Sequence, residues 1–217
     1  MRALALLSGL LALAGEARAD PGPFRLGVVA SHELGEHAGE LYGRRRDYTR
    51  DTIALEGVLQ ALPGKSRFGT PYGAELVHRV GLRGREPGYV DTSRPPRPIF
   101  QLEGAFDAAP LHGESWRIVT GFGAGLDLDT GRWFPAGGRL YPLILVRAEI
   151  FPSRFGLHLG WTWIPTTSND AHVREHLGEL WTSFEHLSLG TRLAYRMVED
   201  DITYRSRELS LFAGWIF

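Results

Sequence analysis

Residues 207–217 read RELSLFAGWIF, with an apolar side chain at every second position from residue 209 to the end. The apolar set is Leu209, Leu211, Ala213, Trp215 and Phe217. Successive side chains of a strand point to opposite faces, so this set shares one face while Glu208, Ser210 and Gly214 share the other. A strand with one continuous apolar face and an aromatic last residue is typical of the strand that closes a transmembrane β-barrel.

The amino terminus has the pattern of an export signal. Arg2 precedes an apolar run over residues 3–14, and the small residues Ala17 and Ala19 follow. A basic residue, an apolar stretch and a small-residue motif in this order indicate a cleavable secretory signal peptide. We therefore expect residues 1–19 to be a signal peptide and residues 20–217 to be one β-barrel domain in the bacterial outer membrane.

Composition narrows the class of protein. Beyond the predicted signal, no segment approaches the roughly 18 uninterrupted apolar residues that a membrane helix needs, whereas short alternating segments recur. The chain has no cysteine, which excludes disulfides and thiolate chemistry. The formal net charge is only −1, and we expect no nucleic-acid partner.

Alternating segments predict an all-β, antiparallel transmembrane barrel of eight strands. The segments are residues 24–31, 49–62, 74–82, 99–106, 116–126, 140–151, 156–164 and 208–217. Both termini of such a barrel lie in the periplasm, so short periplasmic turns alternate with longer external loops.

The region between Pro165 and Arg207 fits this count poorly. Residues 187–196 alternate like a ninth strand, and an odd number is not expected for a bacterial barrel. Apolar residues between Val173 and Leu187 recur at helical spacing, which predicts a short amphipathic helix. We assign both pieces to an enlarged last external loop; a ten-stranded barrel is the alternative.

Three glycines suggest space inside the barrel. Gly121, Gly123 and Gly125 share the inward face of the segment 116–126. An eight-stranded lumen is normally filled by side chains, so a stripped stretch predicts a cavity for one acyl chain. Alternatively, the glycines relieve curvature or let a bulky neighbour pack across them.

Two prolines lie on neighbouring predicted strands. Pro142 is within the segment 140–151, and Pro165 follows the segment 156–164. Proline cannot donate to a sheet ladder, so the seam between these strands should be weak near its outer end and act as a lateral gate for lipid. The alternative is ordinary placement of proline at strand ends.

The residues around these features resemble a known family. PLHGESWRIVTGFGAGL (110–126) and YPLILVRAEIFPSRFGLHLGWTWIP (141–165) are similar to strands of the lipid A palmitoyltransferase (PagP) family. The resemblance covers residues 91–165. It implies a barrel that holds the palmitoyl chain of a phospholipid and transfers it to lipid A, so phospholipid and lipopolysaccharide are the implied partners.

The resemblance also implies an active site. The family's histidine corresponds to His32, its aspartate to Asp91 and its serine to Thr92, which Ser93 follows. A hydroxyl is a weak nucleophile at neutral pH and needs a base. His32 would be the general base for a lipid A hydroxyl or for the hydroxyl of Thr92 or Ser93, and Asp91 would orient His32. Alternatively, His32 is an ordinary solvated histidine, and residues 91–93 form an ordinary polar turn.

The chain departs from the family in three ways. Only residues 20–23 precede the first predicted strand, so the family's amino-terminal helix has no counterpart. Thr92 replaces the serine, and residues 165–207 have no equivalent. An altered donor, an altered acceptor and lost activity are therefore all open.

Two other functions are open. His186, Ser188 and Glu208 resemble the triad of the lipid A 3-O-deacylase family, because period two places them on one face. A non-enzymatic barrel with a structural or surface-binding role is the other alternative. The lumen distinguishes them: an enzyme of the first kind needs an apolar cavity beside Pro142 and Pro165, whereas a structural barrel should be filled by Arg, Glu and aromatic side chains.

The remaining expectations concern partners. We expect no cofactor and no metal, because the acidic turn at Asp127 and Asp129 is an ordinary one. The chain should be a monomer. Phe217 should direct it to the barrel assembly machinery of the outer membrane.

Overall fold

The computed structural model describes residues 24–39, 46–84, 96–128, 139–151, 155–168, 171–199 and 202–217. Within these ranges the chain forms one antiparallel barrel of ten strands. The strands are β1 (Phe24–Gly39), β2 (Arg46–Lys65), β3 (Pro71–Arg83), β4 (Arg97–His112), β5 (Trp116–Asp127), β6 (Arg139–Ile150), β7 (Phe155–Ser168), β8 (Ala171–Phe184), β9 (Leu187–Glu199) and β10 (Ile202–Ile216). Each strand pairs with its neighbours in the chain, and β1 pairs with β10 to close the barrel. The predicted signal peptide, residues 1–19, lies outside the described residues.

The prediction of eight strands is wrong, and the alternative of ten is correct. The predicted helix and enlarged loop are instead two long strands, β8 and β9. The physical reason is that β8 has large apolar residues on both faces among its charged ones. Leu177 and Trp181 share the lumen parity of buried Ser183, while Leu180 and Phe184 are exposed on the outer face. Two apolar faces together imitate the spacing of three and four residues that indicates a helix.

The outer surface of the barrel is apolar. Exposed large side chains recur at alternate positions around the sheet, among them Ile53, Phe122, Leu140, Leu159 and Leu211. The intervening side chains point into the lumen, and many of them are polar or charged. An apolar exterior around a polar interior is the arrangement of an outer-membrane-type transmembrane barrel. No helix among the described residues is long and apolar enough to cross a membrane.

The connections differ between the two ends of the barrel. Both termini lie at the end that holds the short turns at residues 66–70, 113–115 and 185–186. The opposite end holds the two longest connections, residues 84–96 and 128–138, together with two short ones at residues 169–170 and 200–201. Because bacterial barrels have short periplasmic turns and longer external loops, the first end is assigned as periplasmic and the second as external.

The predicted terminal strand is confirmed. β10 pairs with β1 over its whole length, from Ile216 opposite Arg25 to Ile202 opposite Gly39. The backbone N–H of Phe217 donates to the carbonyl oxygen of Phe24 at 3.0 Å. Their rings lie 5.6 Å apart. The last residue therefore joins the start of β1 at the periplasmic rim.

Candidate functional site

The periplasmic half of the lumen contains an ion-pair network centred on Glu149 of β6. Its carboxylate accepts hydrogen bonds from Nε of Arg117 and from Nε of Arg147, both at 2.5 Å. Arg147 also donates to Glu75 at 2.7 Å and to Asp107 at 3.4 Å. Glu149 is 1% exposed, and buried charges persist only when they are paired. These five residues, the lumen plug, form ion pairs across this half of the lumen.

A second carboxylate connects strands near the middle of the barrel. Glu56 of β2 accepts hydrogen bonds from Arg79 of β3 at 2.6 Å and from Arg192 of β9 at 3.0 Å. Arg25 of β1 lies 3.6 Å from its other oxygen. Arg192 reaches Glu179 of β8 at 3.3 Å. The barrel is therefore braced across its lumen as well as along its seams.

One side of the lumen is apolar. Its buried members come from β4 to β7 and form a cluster, the apolar wall: Ala105, Ala109, Val119, Tyr141, Leu143, Leu145 and Ile164. Leu177 of β8 packs against it. Strands β4 to β7 thus contribute apolar side chains to the interior, as the predicted cavity requires. Strands β2, β3 and β9 contribute the charges around Glu56.

A cavity lies between the apolar wall and the charged side. Only about 70 Å³ of it can hold the centre of a water molecule, so the space is narrow. Leu143, Leu145 and Ile164 line it on one side, and Arg79 and Arg192 on the other. Glutamates such as Glu103 and Glu175 also line the charged side, which therefore carries both signs and suits a ligand with an apolar part and a polar group.

The seam between β6 and β7 stops short at the external end. Pairing runs from Ile150 opposite Leu157 to Ile144 opposite Trp163. Both described strands continue beyond this point, to Arg139 and to Ser168, without pairing to each other. The unpaired stretch, the β6–β7 opening, leaves backbone groups of both strands without ladder bonds across the seam.

The two predicted gate residues occupy this opening. Pro142 and Pro165 would be register partners if the β6–β7 ladder continued two residues past Ile144 and Trp163. Neither proline has an N–H to donate, which explains why the ladder does not extend through them. Their role as a lateral gate remains a prediction.

Neighbouring atoms occupy the space beside all three predicted cavity glycines. A Cβ at Gly125 would collide with the ring of Tyr141, and one at Gly121 with the carboxylate of Asp107. At Gly123 it would collide with the backbone of Gly104. This packing is the arrangement expected from the alternative interpretation, and the space for a chain lies farther from β5. An acyl-chain role for the three glycines stays a prediction.

The predicted catalytic residues are only partly described. His32 lies on the outer face of β1, where its Nδ1 is 2.7 Å from Oδ1 of Asp51 on β2. Both side chains are solvent-accessible, at 52% and 80%. Asp91, Thr92 and Ser93 lie outside the described residues. In the order of strands around the barrel, β1 is four positions from β7, so His32 is far from the β6–β7 opening.

The structure does not bring the alternative triad together. His186 lies in the turn between β8 and β9, with Nδ1 3.1 Å from the carbonyl oxygen of Ile216. Ser188 is opposite Gly214, whereas Glu208 is opposite Ala194. Ser188 and Ala194 are six residues apart on β9, so Ser188 and Glu208 are separated by roughly 20 Å along the strands.

Sequence reasoning missed the carboxylates that organise the lumen. Period two could have placed Glu149 and Arg147 on one face of β6, and Glu56 on the inner face of β2, because parity alone sets the direction of a strand residue. Their partners depend on register and on barrel closure. Asp51 was missed for the same reason. No cluster of three or more metal-binding side chains occurs in the described ranges.

Comparisons with known proteins give fold likeness only. No family model and no curated protein matches the sequence. The outer-membrane protease OmpT from Escherichia coli is 10% identical with a TM-score of 0.45, covering 94% of this chain and 100% of that one. An outer-membrane channel from Pseudomonas putida F1 is 13% identical with a TM-score of 0.47, covering 94% and 98%. The attachment invasion locus protein Ail of Yersinia pestis is 11% identical with a TM-score of 0.33, covering 89% and 98%.

Proposed function

We propose that this chain is a bacterial outer-membrane barrel that takes up a lipid acyl chain sideways, through the β6–β7 opening. The observation that carries this proposal is the loss of pairing beyond Ile144 and Trp163, beside the apolar wall. A closed seam would present only its outer face to lipid. An unpaired seam gives an acyl chain a path between the strands into the lumen.

The lining of the cavity favours a chain over a passing solute. Leu143, Leu145 and Ile164 lie directly inside the opening, and each buried methylene of a ligand would contribute about 0.8 kcal/mol. The ion pairs of the lumen plug lie between these residues and the periplasmic end. An acyl chain that enters the lumen would contact the apolar wall above them.

The charged side of the cavity would orient the polar end of the lipid. Arg79 and Arg192 line the cavity, although both already contact Glu56. Tyr141 donates to Glu103 at 2.6 Å on the same level. An ester or phosphate entering beside these groups would meet donors on one side and the apolar wall on the other.

The sequence resemblance adds an activity to this proposal, which is transfer of the acyl chain from a phospholipid to lipid A. In it, His32 would be the general base, with Asp91 and the hydroxyl of Thr92 or Ser93 completing the site. Because His32 faces outward and lies four strands from the β6–β7 opening, it would act on a lipid against the outer surface of β1 and not on a chain held in the lumen. Mass spectrometry of lipid A from cells with and without this protein tests the activity. Identical lipid A in both would mean that the protein binds an acyl chain without transferring it.

Closing the opening tests the uptake itself. The chain has no cysteine, so one cysteine pair gives one unique disulfide. Leu140 and Thr167 would be register partners if the β6–β7 ladder continued past the prolines, so Leu140→Cys with Thr167→Cys bridges the opening and keeps both prolines. The probe is a phospholipid with a photoactivatable acyl chain. We expect it to label peptides of the apolar wall in the reduced protein and to lose this labelling in the oxidised protein.

A matched control uses the same seam. Ala148 and Leu159 are register partners in its paired part, so Ala148→Cys with Leu159→Cys should leave labelling unchanged in both redox states. Equal labelling of the wall in oxidised and reduced Leu140→Cys/Thr167→Cys protein would contradict lateral uptake.

A structural or surface-binding barrel is the second candidate function, and the lumen plug favours it. Arginine and carboxylate side chains fill the periplasmic half of the interior, as this function requires. It predicts no labelling of the apolar wall by the lipid probe in any variant. The two functions are therefore separated by one measurement.

A further inference from the structure

The outer face of the barrel carries a cationic region near its external end. Arg174 on β8 and Arg205 and Arg207 on β10 are exposed there. His176 on β8 lies on the same face. These four residues are the basic band. We propose that the basic band binds the phosphate groups of a phosphorylated glycolipid of the outer leaflet.

Strand register places the members of the basic band close together. Arg207 is opposite Tyr195, which is opposite His176. One step nearer the external end, Arg205 is opposite Met197, which is opposite Arg174. Neighbouring strands are about 4.8 Å apart, so cations on β8 and β10 lie about 10 Å from each other across β9.

The arginines of the basic band differ from those of the lumen. Lumen arginines such as Arg79, Arg147 and Arg192 contact carboxylates. No hydrogen bond or ion pair of the described residues involves the three arginines of the basic band. Their guanidinium groups are therefore available for an external anion, and a planar guanidinium matches the geometry of phosphate oxygens.

The position of the basic band identifies a lipid as the source of the anion. On β10 the outward residues just below it are Leu209 and Leu211, both exposed and apolar. On β7, Trp161 stacks on His176 with ring centroids 5.8 Å apart. Apolar residues below, aromatic residues at the boundary and cations above are the pattern of a membrane interface.

The basic band occupies only one sector of the barrel. The outward positions described on β3 to β7 carry no Asp, Glu, Lys or Arg. Outward acids border the basic band: Glu36 of β1 is the register partner of Arg205, and Asp47 and Asp51 lie on β2, two strands from β10. The outward arginines are thus confined to β8 and β10, which places the binding site for the anionic lipid at β8 to β10.

This inference rests on the orientation of the barrel and not on acyl-chain uptake, so either can fail alone. The test is native mass spectrometry of the folded, detergent-solubilised barrel with lipid A that carries its phosphates, with dephosphorylated lipid A and with inorganic phosphate. We expect retention of phosphorylated lipid A only. Removing each arginine should weaken retention by on the order of fivefold.

The variants are Arg174→Gln, Arg205→Gln and Arg207→Gln, singly and combined, with heat-modifiable gel mobility as the check of folding. Should the triple variant not fold, the Arg205→Gln/Arg207→Gln pair and the charge-preserving Arg207→Lys carry the test. Arg67→Gln, an exposed arginine in the turn at the opposite rim, is the control. Equal retention of both forms of lipid A, displacement by equimolar inorganic phosphate, or undiminished retention by the folded variants would overturn the proposal.

Discussion

His32 on β1 and Asp51 on β2 are register partners on the outer surface of the barrel, and their side chains meet at 2.7 Å. A carboxylate in contact with Nδ1 fixes the ring and leaves Nε2 as the nitrogen that can accept a proton. The pair thus has the orientation of a base and its orienting acid, on a surface that lipid covers. An exposed pair of this kind adds little to folding stability.

Replacement of His32 tests whether the proposed acylation of lipid A depends on this residue while the barrel stays folded. We expect His32→Ala to abolish acylation of lipid A while the barrel remains folded, and Asp51→Asn to reduce it, since the ring loses its orientation. Asp91→Ala should match His32→Ala, and the double variant should be no worse than either, because residues that act as a unit lose their effect together. Mass spectrometry of lipid A provides the measurement.

His78 is the control for this prediction. It also faces outward, on β3, but lies beside Gly57, nearer the middle of the barrel wall. His78→Ala should leave lipid A acylation unchanged. Acylation at the wild-type level in the His32→Ala protein would remove His32 from the site.

The lumen plug predicts a large loss of stability when its central charge is neutralised. Glu149→Gln leaves Arg117 and Arg147 with one carboxylate fewer in a buried environment, so we expect a cost of about 3–5 kcal/mol. Urea unfolding followed by tryptophan fluorescence measures it. Glu114→Gln, in the exposed turn between β4 and β5, should unfold like the wild type. Coincident curves for Glu149→Gln and wild type would show that the plug does not stabilise the barrel.

Two glycines with opposite surroundings give a third prediction. A Cβ at Gly123 would collide with the backbone of Gly104, which cannot move without distorting the β4–β5 seam. At Gly178 nothing lies within 4 Å of an added Cβ. Gly123→Ala should therefore lower the urea midpoint, and Gly178→Ala should leave it within error. Reversal of this order would contradict the packing of β5 against β4.

The closing strand predicts an assembly defect. Trp215→Asp places a carboxylate on the lipid-facing side of β10, and loss of Phe217 removes its contacts with Phe24. We expect both changes to reduce the heat-modifiable folded band in outer-membrane fractions. Ser210→Asp, on the lumen face of the same strand near Arg192, should assemble well. Normal folding of both first variants would disprove the role of the terminal strand in assembly.

The sequence predicted strands wherever one face is apolar and the other is not. The segments 116–126 and 140–151 agree closely with β5 and β6, and the terminal segment 208–217 overlaps the second half of β10. β8 was not recognised, because the apolar wall also requires Leu177 on its inner face. Alternation is lost wherever both lipid and lumen demand apolar residues.

The site was less predictable than the strands. Parity predicted that Arg117 points inward, but not that it meets Glu149 on the next strand. Pairings such as Glu56 with Arg192 join residues far apart in the sequence, and they depend on the stagger of ten strands around a closed barrel. A count of eight would have placed different residues opposite each other.

The seam between β1 and β10 also constrains how the chain folds. Nine of the ten seams join strands that are consecutive in the chain, so each can form as a local hairpin within the described sheet. The tenth joins Arg25 to Ile216 and has the largest sequence separation possible here. Contacts this distant form slowly, since the loop-closure entropy of nearly the whole chain opposes them. Until β10 arrives, β1 is an open edge, which makes closure of this one seam the step at which a partly folded barrel is most exposed to aggregation.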